Sequence, residues 1–150
     1  MSARFYHLTE SSVDQTARML LEKCLGAGWR VAVRGTDLER LKWLDEKLWL
    51  GPDDGFLPHG LAGGAHDARQ PVLLTTDALA NAPHCVISID GAEITAEEAE
   101  GKERVFILFD GLDGDAVARA RVQWKGMTGA GVAAQYWAQE GGRWAMKAES

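Results

Sequence analysis

Short apolar runs alternate with helical repeats along this chain, and that alternation limits the folds open to it. Val72–Thr75, Cys85–Ile89 and Val105–Phe109 are runs of mostly β-branched or aromatic residues bounded by turn residues, which indicates buried strands. Arg4–Leu8 and Trp29–Arg34 are two further predicted strands. Strands that alternate with helices imply a parallel or mixed sheet that is covered on both faces.

Three segments between these strands have the spacing of amphipathic helices. The first follows turn and N-cap residues at Thr9 to Ser12, and Thr36-Asp37-Leu38-Glu39 predicts a capping box for a second helix that runs to about Leu50. Asp113 or Asp115 is the predicted cap of a third helix, which runs to about Met127. The apolar stripes of the three helices are Val13, Ala17, Leu20, Leu21 and Cys24; Leu41, Leu44 and Leu48; and Val117, Ala120 and Trp124.

The C-terminal part of the chain predicts a hairpin, which completes the expected fold. Val132–Gln139 and Trp144–Met146 flank Glu140-Gly141-Gly142, a typical turn between two antiparallel strands. We expect a three-layer α/β/α fold with a mostly parallel central sheet and this hairpin at one edge. Its topology would be Rossmann-like, without a nucleotide-binding motif. A length of 150 residues predicts one domain, over 1–150.

Two segments between the predicted strands have no helical or strand pattern. Residues 51–71 are rich in glycine and proline, and we expect no helix or strand there, although Phe56 and Leu57 are unusual for a solvated linker. Loops of this length inside a domain are often functional. Residues 90–103 are acidic, which predicts a solvated loop or a short exposed helix.

The charge and composition exclude several classes of protein. With 16 Lys and Arg against 22 Asp and Glu, the net charge of −6 disfavours direct binding to bare DNA, which needs a basic surface. Cys24 and Cys85 lie in apolar stretches, so we expect buried, reduced thiols. No apolar run approaches the roughly 20 residues of a membrane span, and the first residues have no signal-peptide core. We therefore expect a soluble cytoplasmic protein with no membrane partner.

No arrangement of residues predicts catalysis with any strength. The chain has neither a P-loop nor a strand–GxGxxG–helix unit, and its four histidines lack metal-ligand spacing, so we expect no catalytic residue, cofactor or metal. One alternative stays open at Asp110, which ends the apolar run that begins at Phe106 and would lie at the carboxyl edge of the sheet. With Asp113 or Asp115 it could serve a metal-dependent nucleotide or phosphate hydrolase.

The third predicted helix carries a local positive charge. Arg119, Arg121 and Lys125 are its only charged residues between Ala116 and Thr128. Arg121 lies three residues from Trp124 and four from Lys125, so these side chains are neighbours on a helix. Guanidinium groups suit carboxylates, and an indole offers apolar contact, so the pattern fits an acidic peptide with an apolar or aromatic end. The alternative is an ordinary amphipathic helix with Trp124 in the core and solvated charges.

A second candidate surface combines Leu48-Trp49-Leu50 with Phe56-Leu57-Pro58. Clustered aromatic residues beside a glycine- and proline-rich loop predict either a lid over the core or a docking surface, since aromatic residues are enriched at interface hot spots.

The order of these motifs resembles the chi subunit of bacterial DNA polymerase III holoenzyme over most of the chain. The resemblance weakens around residues 90–103. The segments that carry it are Phe5-Tyr6-His7-Leu8, Leu44-Asp45-Glu46-Lys47-Leu48-Trp49, Phe56-Leu57-Pro58-His59-Gly60-Leu61-Ala62-Gly63, Pro71-Val72, and the helix with Ala120-Arg121 and Trp124-Lys125 before Gly131.

The resemblance implies a non-catalytic subunit of the clamp-loader assembly that meets DNA mainly through a partner. Chi proteins hold the acidic C-terminal tail of single-stranded-DNA-binding protein, which ends in a Pro-Phe carboxylate. The family's tail-binding arginine and aromatic residue match Arg121 and Trp124, where the family usually has Tyr at the second position. Lys125 lies beside them. A further basic position of the family site falls at Val117, for which Arg119 is the candidate substitute.

The resemblance also implies a second interface. Chi proteins bind a small subunit, psi, which connects them to the clamp loader. The aromatic contacts of the family with psi match Trp49 and Phe56, and we expect Leu57 and Pro58 to lie beside them. The expected partner is psi or an equivalent clamp-loader component.

Overall fold

The computed structural model describes residues 2–50 and 58–150, in which eight strands form one sheet with helices packed on it. The strands are β1 (Ser2–Leu8), β2 (Val31–Arg34), β3 (Gly60–Leu61), β4 (Val72–Thr75), β5 (Cys85–Ser88), β6 (Arg104–Asp110), β7 (Ala133–Glu140) and β8 (Arg143–Glu149). The helices are α1 (Val13–Gly26), α2 (Leu38–Trp49), α3 (Ala96–Ala99) and α4 (Gly114–Gly129). No helix in the described ranges is long and apolar enough to cross a membrane.

The strand order is β3-β4-β2-β5-β6-β1-β7-β8, and only the β7–β8 pair is antiparallel. This order confirms the predicted mostly parallel sheet with a hairpin at its edge. β1 lies between β6 and β7, with Phe5 opposite Ile107 on one side and Tyr136 on the other. The predicted strands are all present, although β2 begins at Val31 and not at Trp29.

Both faces of the sheet are covered, which confirms the three-layer architecture. Alternate residues of each strand point to opposite faces. α1 and α2 bury Leu21 and Leu44 against one face, together with Leu108 of β6. On the other face, α4 buries Ala120 and Met127 in a second apolar cluster. The sheet therefore fixes α4 at a set distance and direction from β1, β6 and β7.

The hairpin is tied to the first loop of the chain by one side chain. The carboxamide oxygen of Gln139 in β7 accepts hydrogen bonds from the backbone N–H groups of Thr9, Glu10 and Ser11, at 3.1, 2.9 and 3.0 Å. Its amide nitrogen donates to the Ser11 hydroxyl at 2.7 Å. Ser12 then caps α1 and forms a capping box with Gln15.

The predicted capping box at Thr36 was wrong. Asp37 is the N-cap of α2, and its carboxylate accepts the N–H of Glu39 at 2.9 Å. The Thr36 hydroxyl instead donates to the carbonyl of Asp90 at 3.3 Å, which links the helix start to the loop after β5. Aspartate and threonine both accept hydrogen bonds from the free N–H groups of a first helical turn. The hydrogen bond from Thr36 to Asp90 therefore decides which of the two residues caps α2.

The expectation of no regular structure in residues 51–71 was also wrong for the second half. Gly60–Leu61 forms the short edge strand β3 beside β4, and Asp67–Arg69 forms one turn of 3-10 helix. The N–H of Ala62 also donates to Leu74, at 2.8 Å. An edge strand needs a partner on one side only, so proline and glycine nearby do not prevent it. Phe56 and Leu57 lie outside the described residues.

The acidic segment 90–103 contains a short helix, but it is less solvated than expected. Thr95 caps α3, while Ile94 and Ala99 are buried in the cluster beneath α4. Both carboxylate oxygens of Glu98 accept hydrogen bonds from Arg34, at 2.8 and 2.7 Å. This paired geometry lowers the pKa of Glu98 to about 2, chiefly through the hydrogen bonds from Arg34.

The two cysteines are buried and not joined in a disulfide, as predicted. They lie close together, Cys24 on α1 and Cys85 at the start of β5. A hydrogen bond between them raises the pKa of Cys85 and lowers that of Cys24.

We expect Glu98→Gln to reduce the free energy of unfolding by about 1 kcal/mol near neutral pH, because it removes one charge of a well-aligned pair. The pKa of Glu98 is lower in the folded state, so its contribution is present above pH 4.5 and is lost as the pH falls towards about 2. Urea denaturation across that range measures it. The matched control is the exposed neighbour, Glu97→Gln, and equal pH profiles for the two variants would contradict the prediction.

Candidate functional site

The structure places α4 so that one side of it adjoins β1 and β7. The helix starts after a turn in which the Asp110 carboxylate accepts the N–H of Leu112 at 2.9 Å. Asp113 caps it by accepting the N–H of Asp115 at 3.0 Å, which decides between the two predicted caps. Ala120 of α4 is buried against the sheet. Residues on the neighbouring part of the helix surface therefore lie at the edge of the contact between α4 and the sheet.

Trp124 lies at this margin, half-buried between helix and sheet. Its ring meets the ring of Phe5 edge-on, with centroids 5.3 Å apart, and it lies 6.3 Å from the ring of Tyr136. The alternative prediction that Trp124 packs into the core therefore holds for part of the ring. The rest remains accessible, which leaves an anchored aromatic surface beside the sheet.

Arg121 and Lys125 are exposed on the same side of α4. Within residues 2–50 and 58–150, no carboxylate lies at ion-pair distance from either of them. We call Arg121, Trp124 and Lys125 the Arg121 face. It combines two uncompensated positive charges with part of an indole ring, which suits a ligand with a carboxylate and an apolar group.

His7 and Tyr136 lie next to the Arg121 face, and the sequence analysis missed both. The Tyr136 hydroxyl and His7 Nδ1 are 2.5 Å apart, and the two rings also contact Phe109. Burial raises the pKa of Tyr136, while the positive charge of Arg121 opposes this shift. No local spacing could have found this pair, because its members are 129 residues apart.

Arg119 lies elsewhere on α4 from the Arg121 face. Residues two apart on a helix are separated by about 200° around its axis. Arg119 rests on Gly91, where a Cβ would come within 2.8 Å of the Arg119 Nε atom. The structure therefore brings together three of the four residues predicted for one site and separates Arg119 from them.

Arg119 instead lines a cavity of about 610 Å³ at the carboxyl ends of β1 and β6. Arg40 lies on its wall, bound to Asp90 at 3.1 and 3.2 Å and stacked on Trp43. Asp110, on which the hydrolase alternative depends, also lines the cavity. Its carboxylate stabilises a turn, and among the described residues no group of three potential ligands could hold a metal ion. No metal site in the described ranges therefore supports the hydrolase alternative.

Comparison with known proteins places the chain in a family. A model of the family described as DNA polymerase III chi subunit, HolC, matches residues 1–135. The chain belongs to this chi family. The protein named as probable DNA polymerase III subunit chi from Rickettsia prowazekii (strain Madrid E) is 29% identical over 72 residues. That match covers 48% of this chain and spans 44% of the length of the relative.

The chi-family match includes the whole of α4 and ends inside β7. Residue 135 precedes Tyr136, so this tyrosine and all of β8 lie beyond the matched residues. The Arg121 face lies within the match. Helix α4 therefore lies within the residues that the family model matches, and most of the hairpin lies beyond them.

The second predicted surface of this chi-family chain is described only in part. Trp49 ends α2 with 53% of its surface exposed, and its ring lies 4.4 Å from that of His59. His59 is buried, with Nε2 3.1 Å from the carboxylate of Asp45. Pro58 is half-buried beside it. Phe56 and Leu57 of the predicted surface lie outside the described ranges.

We expect Gly111→Ala to lower the free energy of unfolding by about 1–3 kcal/mol. A Cβ at this position would overlap the His7 ring, at 2.0 Å from its Cδ2 atom and 2.1 Å from its Nε2 atom. The neighbouring rings of Phe109 and Tyr136 limit how far His7 can move. Thermal and urea denaturation measure the change. In the control, Gly126→Ala adds a methyl group in the last turn of α4 with no atom within 4 Å, and it should stabilise the protein by up to about 0.5–1 kcal/mol. A neutral effect of Gly111→Ala would contradict the packing described for His7.

Proposed function

We propose that this chain is a non-catalytic accessory subunit of the DNA polymerase III clamp-loader assembly in DNA replication. In this role it binds the acidic C-terminal tail of single-stranded-DNA-binding protein and links that protein to the replicase. Membership of the chi family supports the assignment to the polymerase. The observation that carries the tail-binding part is the Arg121 face, in which two cations without a carboxylate partner in the described part of the chain lie beside a partly exposed indole.

The chemistry of the Arg121 face accounts for each part of such a tail. The guanidinium of Arg121 can hold the terminal carboxylate through charge-assisted hydrogen bonds, and a terminal phenylalanine can pack on Trp124. Lys125 attracts the acidic residues upstream and should act mostly on the association rate. Arg119 contributes to this proposal only as a more distant charge, because it lies against Gly91.

The charge distribution supports a peptide ligand over bare DNA. The chain carries a net charge of −6, and affinity for a nucleic acid grows with the number of phosphates that cations neutralise. The two exposed cations of the Arg121 face match a short acidic peptide, for which we expect micromolar affinity. Several tails on one oligomer of the partner would add avidity.

We further propose that Trp49, Pro58 and the adjoining Phe56 and Leu57 contact psi or an equivalent clamp-loader component. The exposed indole of Trp49 supports this, together with Leu50, which is 77% exposed beside it. Contiguous exposed apolar side chains mark surfaces where another protein binds, and tryptophan is enriched among the residues that contribute most to such binding.

We expect Arg121→Ala to weaken binding of a fluorescent peptide with an acidic sequence and a Pro-Phe terminus by about tenfold, because a charge-assisted contact is lost. Fluorescence anisotropy at low and moderate salt measures the Kd. Arg119→Ala is the matched control, with the same loss of charge on the same helix, and should change the Kd less than about twofold. Equal losses in the two variants would contradict the assignment of the site.

We expect Trp49→Ala to weaken binding to the purified clamp-loader component by at least tenfold, as for a buried aromatic anchor at about 2 kcal/mol. Binding of the tail peptide should stay unchanged, because Trp49 ends α2 and not α4. Leu38→Ala is the control, since Leu38 is 50% exposed at the other end of α2. Surface plasmon resonance compares the variants, and full binding by Trp49→Ala would count against this interface.

A further inference from the structure

Tyr136 is placed on the same face of the sheet as α4, directly beside the Arg121 face. It pairs with Phe5 across β1 and β7, and its ring lies among those of Trp124, Phe109 and His7. The side chain is half-buried. Its hydroxyl is therefore held at the margin between an apolar cluster and the surface on which a ligand of Arg121 would lie.

The hydroxyl of Tyr136 has hydrogen-bonding capacity that the fold does not use. A phenol can donate one hydrogen bond and accept others. Among the described residues, the Tyr136 hydroxyl has one hydrogen-bond partner, His7 Nδ1 at 2.5 Å. When Nδ1 carries the proton, His7 donates to the phenol oxygen, and the O–H of Tyr136 is left to donate to an acceptor outside the fold. A carboxylate, which only accepts, is such an acceptor.

His7 is fixed in the position that orients this hydroxyl. One side of its ring meets the backbone at Gly111 so closely that a Cβ would come within 2.0 Å of Cδ2. The ring of Phe109 meets it edge-on at 5.3 Å. Gly111 is held in turn by its N–H, which donates to the carbonyl of Leu8 at 2.7 Å. These contacts hold the His7 ring beside the Tyr136 hydroxyl.

The neighbouring charge favours an anionic acceptor. Arg121 is close enough to Tyr136 for its charge to act on the phenol, and no carboxylate among the described residues neutralises Arg121. A hydrogen bond from a half-buried donor to a charged acceptor is stronger than one in water. The Tyr136 hydroxyl on β7 is a hydrogen-bond donor and Arg121 on α4 is a cation. Both therefore lie beside Trp124.

We propose that Tyr136 is a further binding residue of the Arg121 face, and that its hydroxyl, positioned by His7, donates a hydrogen bond to the C-terminal carboxylate of a bound peptide. This inference rests on the proposed peptide-binding function. It adds a donor from the hairpin, beyond the residues matched by the chi family, to a site on α4.

The test compares peptides that differ only at the C-terminus. Tyr136→Phe removes the hydroxyl and keeps the ring, so the affinity for the free-acid peptide should fall about three- to tenfold. The affinity for the same peptide with a C-terminal amide should fall less, because a neutral amide carbonyl accepts a weaker hydrogen bond than a carboxylate does. Tyr6→Phe is the matched control, since it removes the other tyrosine hydroxyl of the chain from the opposite face of the sheet.

A second variant tests the role of His7. His7→Phe should produce the same selective loss for the free-acid peptide, and the double variant with Tyr136→Phe should lose no more than either alone, because both remove one contact. A merely structural role for His7 would weaken both peptides alike. That result, or additive losses, would overturn the positioning role.

The outcomes separate this inference from the proposed function. Free-acid binding that survives Tyr136→Phe but is lost in Arg121→Ala would overturn the role of Tyr136 and leave the peptide site intact. Equal weakening of the acid and amide peptides by Tyr136→Phe would overturn the hydrogen bond to the terminal carboxylate, because the loss of the hydroxyl would then act on the site without regard to the charge of the peptide terminus. A wild-type protein that binds neither peptide would overturn both proposals.

Discussion

The parallel pairing of β1 with both β6 and β7 is the constraint on which the rest of the structure depends. A strand paired on both sides and buried on both faces needs helices above and below it. α1 and α2 satisfy one face, and α4 satisfies the other. Because α4 must keep Ala120 and Met127 against the sheet, its rotation about its own axis is fixed. That rotation decides which of its cations adjoin the aromatic residues of β1 and β7.

The rotation of α4 separates two surfaces with different chemistry. On one side, Arg121 and Lys125 are exposed without a carboxylate partner in the described part of the chain. On the other side, Arg119 rests on Gly91 and lines a cavity that also contains four aspartates, namely Asp14, Asp90, Asp110 and Asp113. An acidic ligand would meet uncompensated positive charge on the first side and mixed charge on the second. The cations of α4 thus differ in their electrostatic environment: Arg119 lies near aspartates, whereas Arg121 and Lys125 lie on the other side of the helix.

The sequence predicted the elements that depend on local pattern and missed those that depend on distant contacts. The buried strands were predictable from β-branched runs, and the hairpin from two glycines between them. Thr36 and Asp37 are both suitable cap residues, and the choice between them depends on the carbonyl of Asp90. The two residues of β3, Gly60 and Leu61, are too few to show an alternating pattern in the sequence. The strand exists because β4 provides its hydrogen bonds.

The same distinction applies to the candidate site. The spacing of three and four residues predicted that Arg121, Trp124 and Lys125 are neighbours on α4. The local charge and the family resemblance added Arg119 without regard to its angle on the helix. Only the pairing of β1 with β7 brings His7 and Tyr136 together.

The bonds made by Gln139 have a consequence for the order in which the protein can fold. The N–H groups after β1 find their acceptor only when a residue about 130 positions later is in place, and β1 pairs with β6 about a hundred residues away. Contacts between residues so far apart in the sequence form late and slow folding. During synthesis, β1 would leave the ribosome long before β6 and β7, its two partners in the sheet. Until both partners are in place, its apolar residues would be exposed to aggregation or to chaperones.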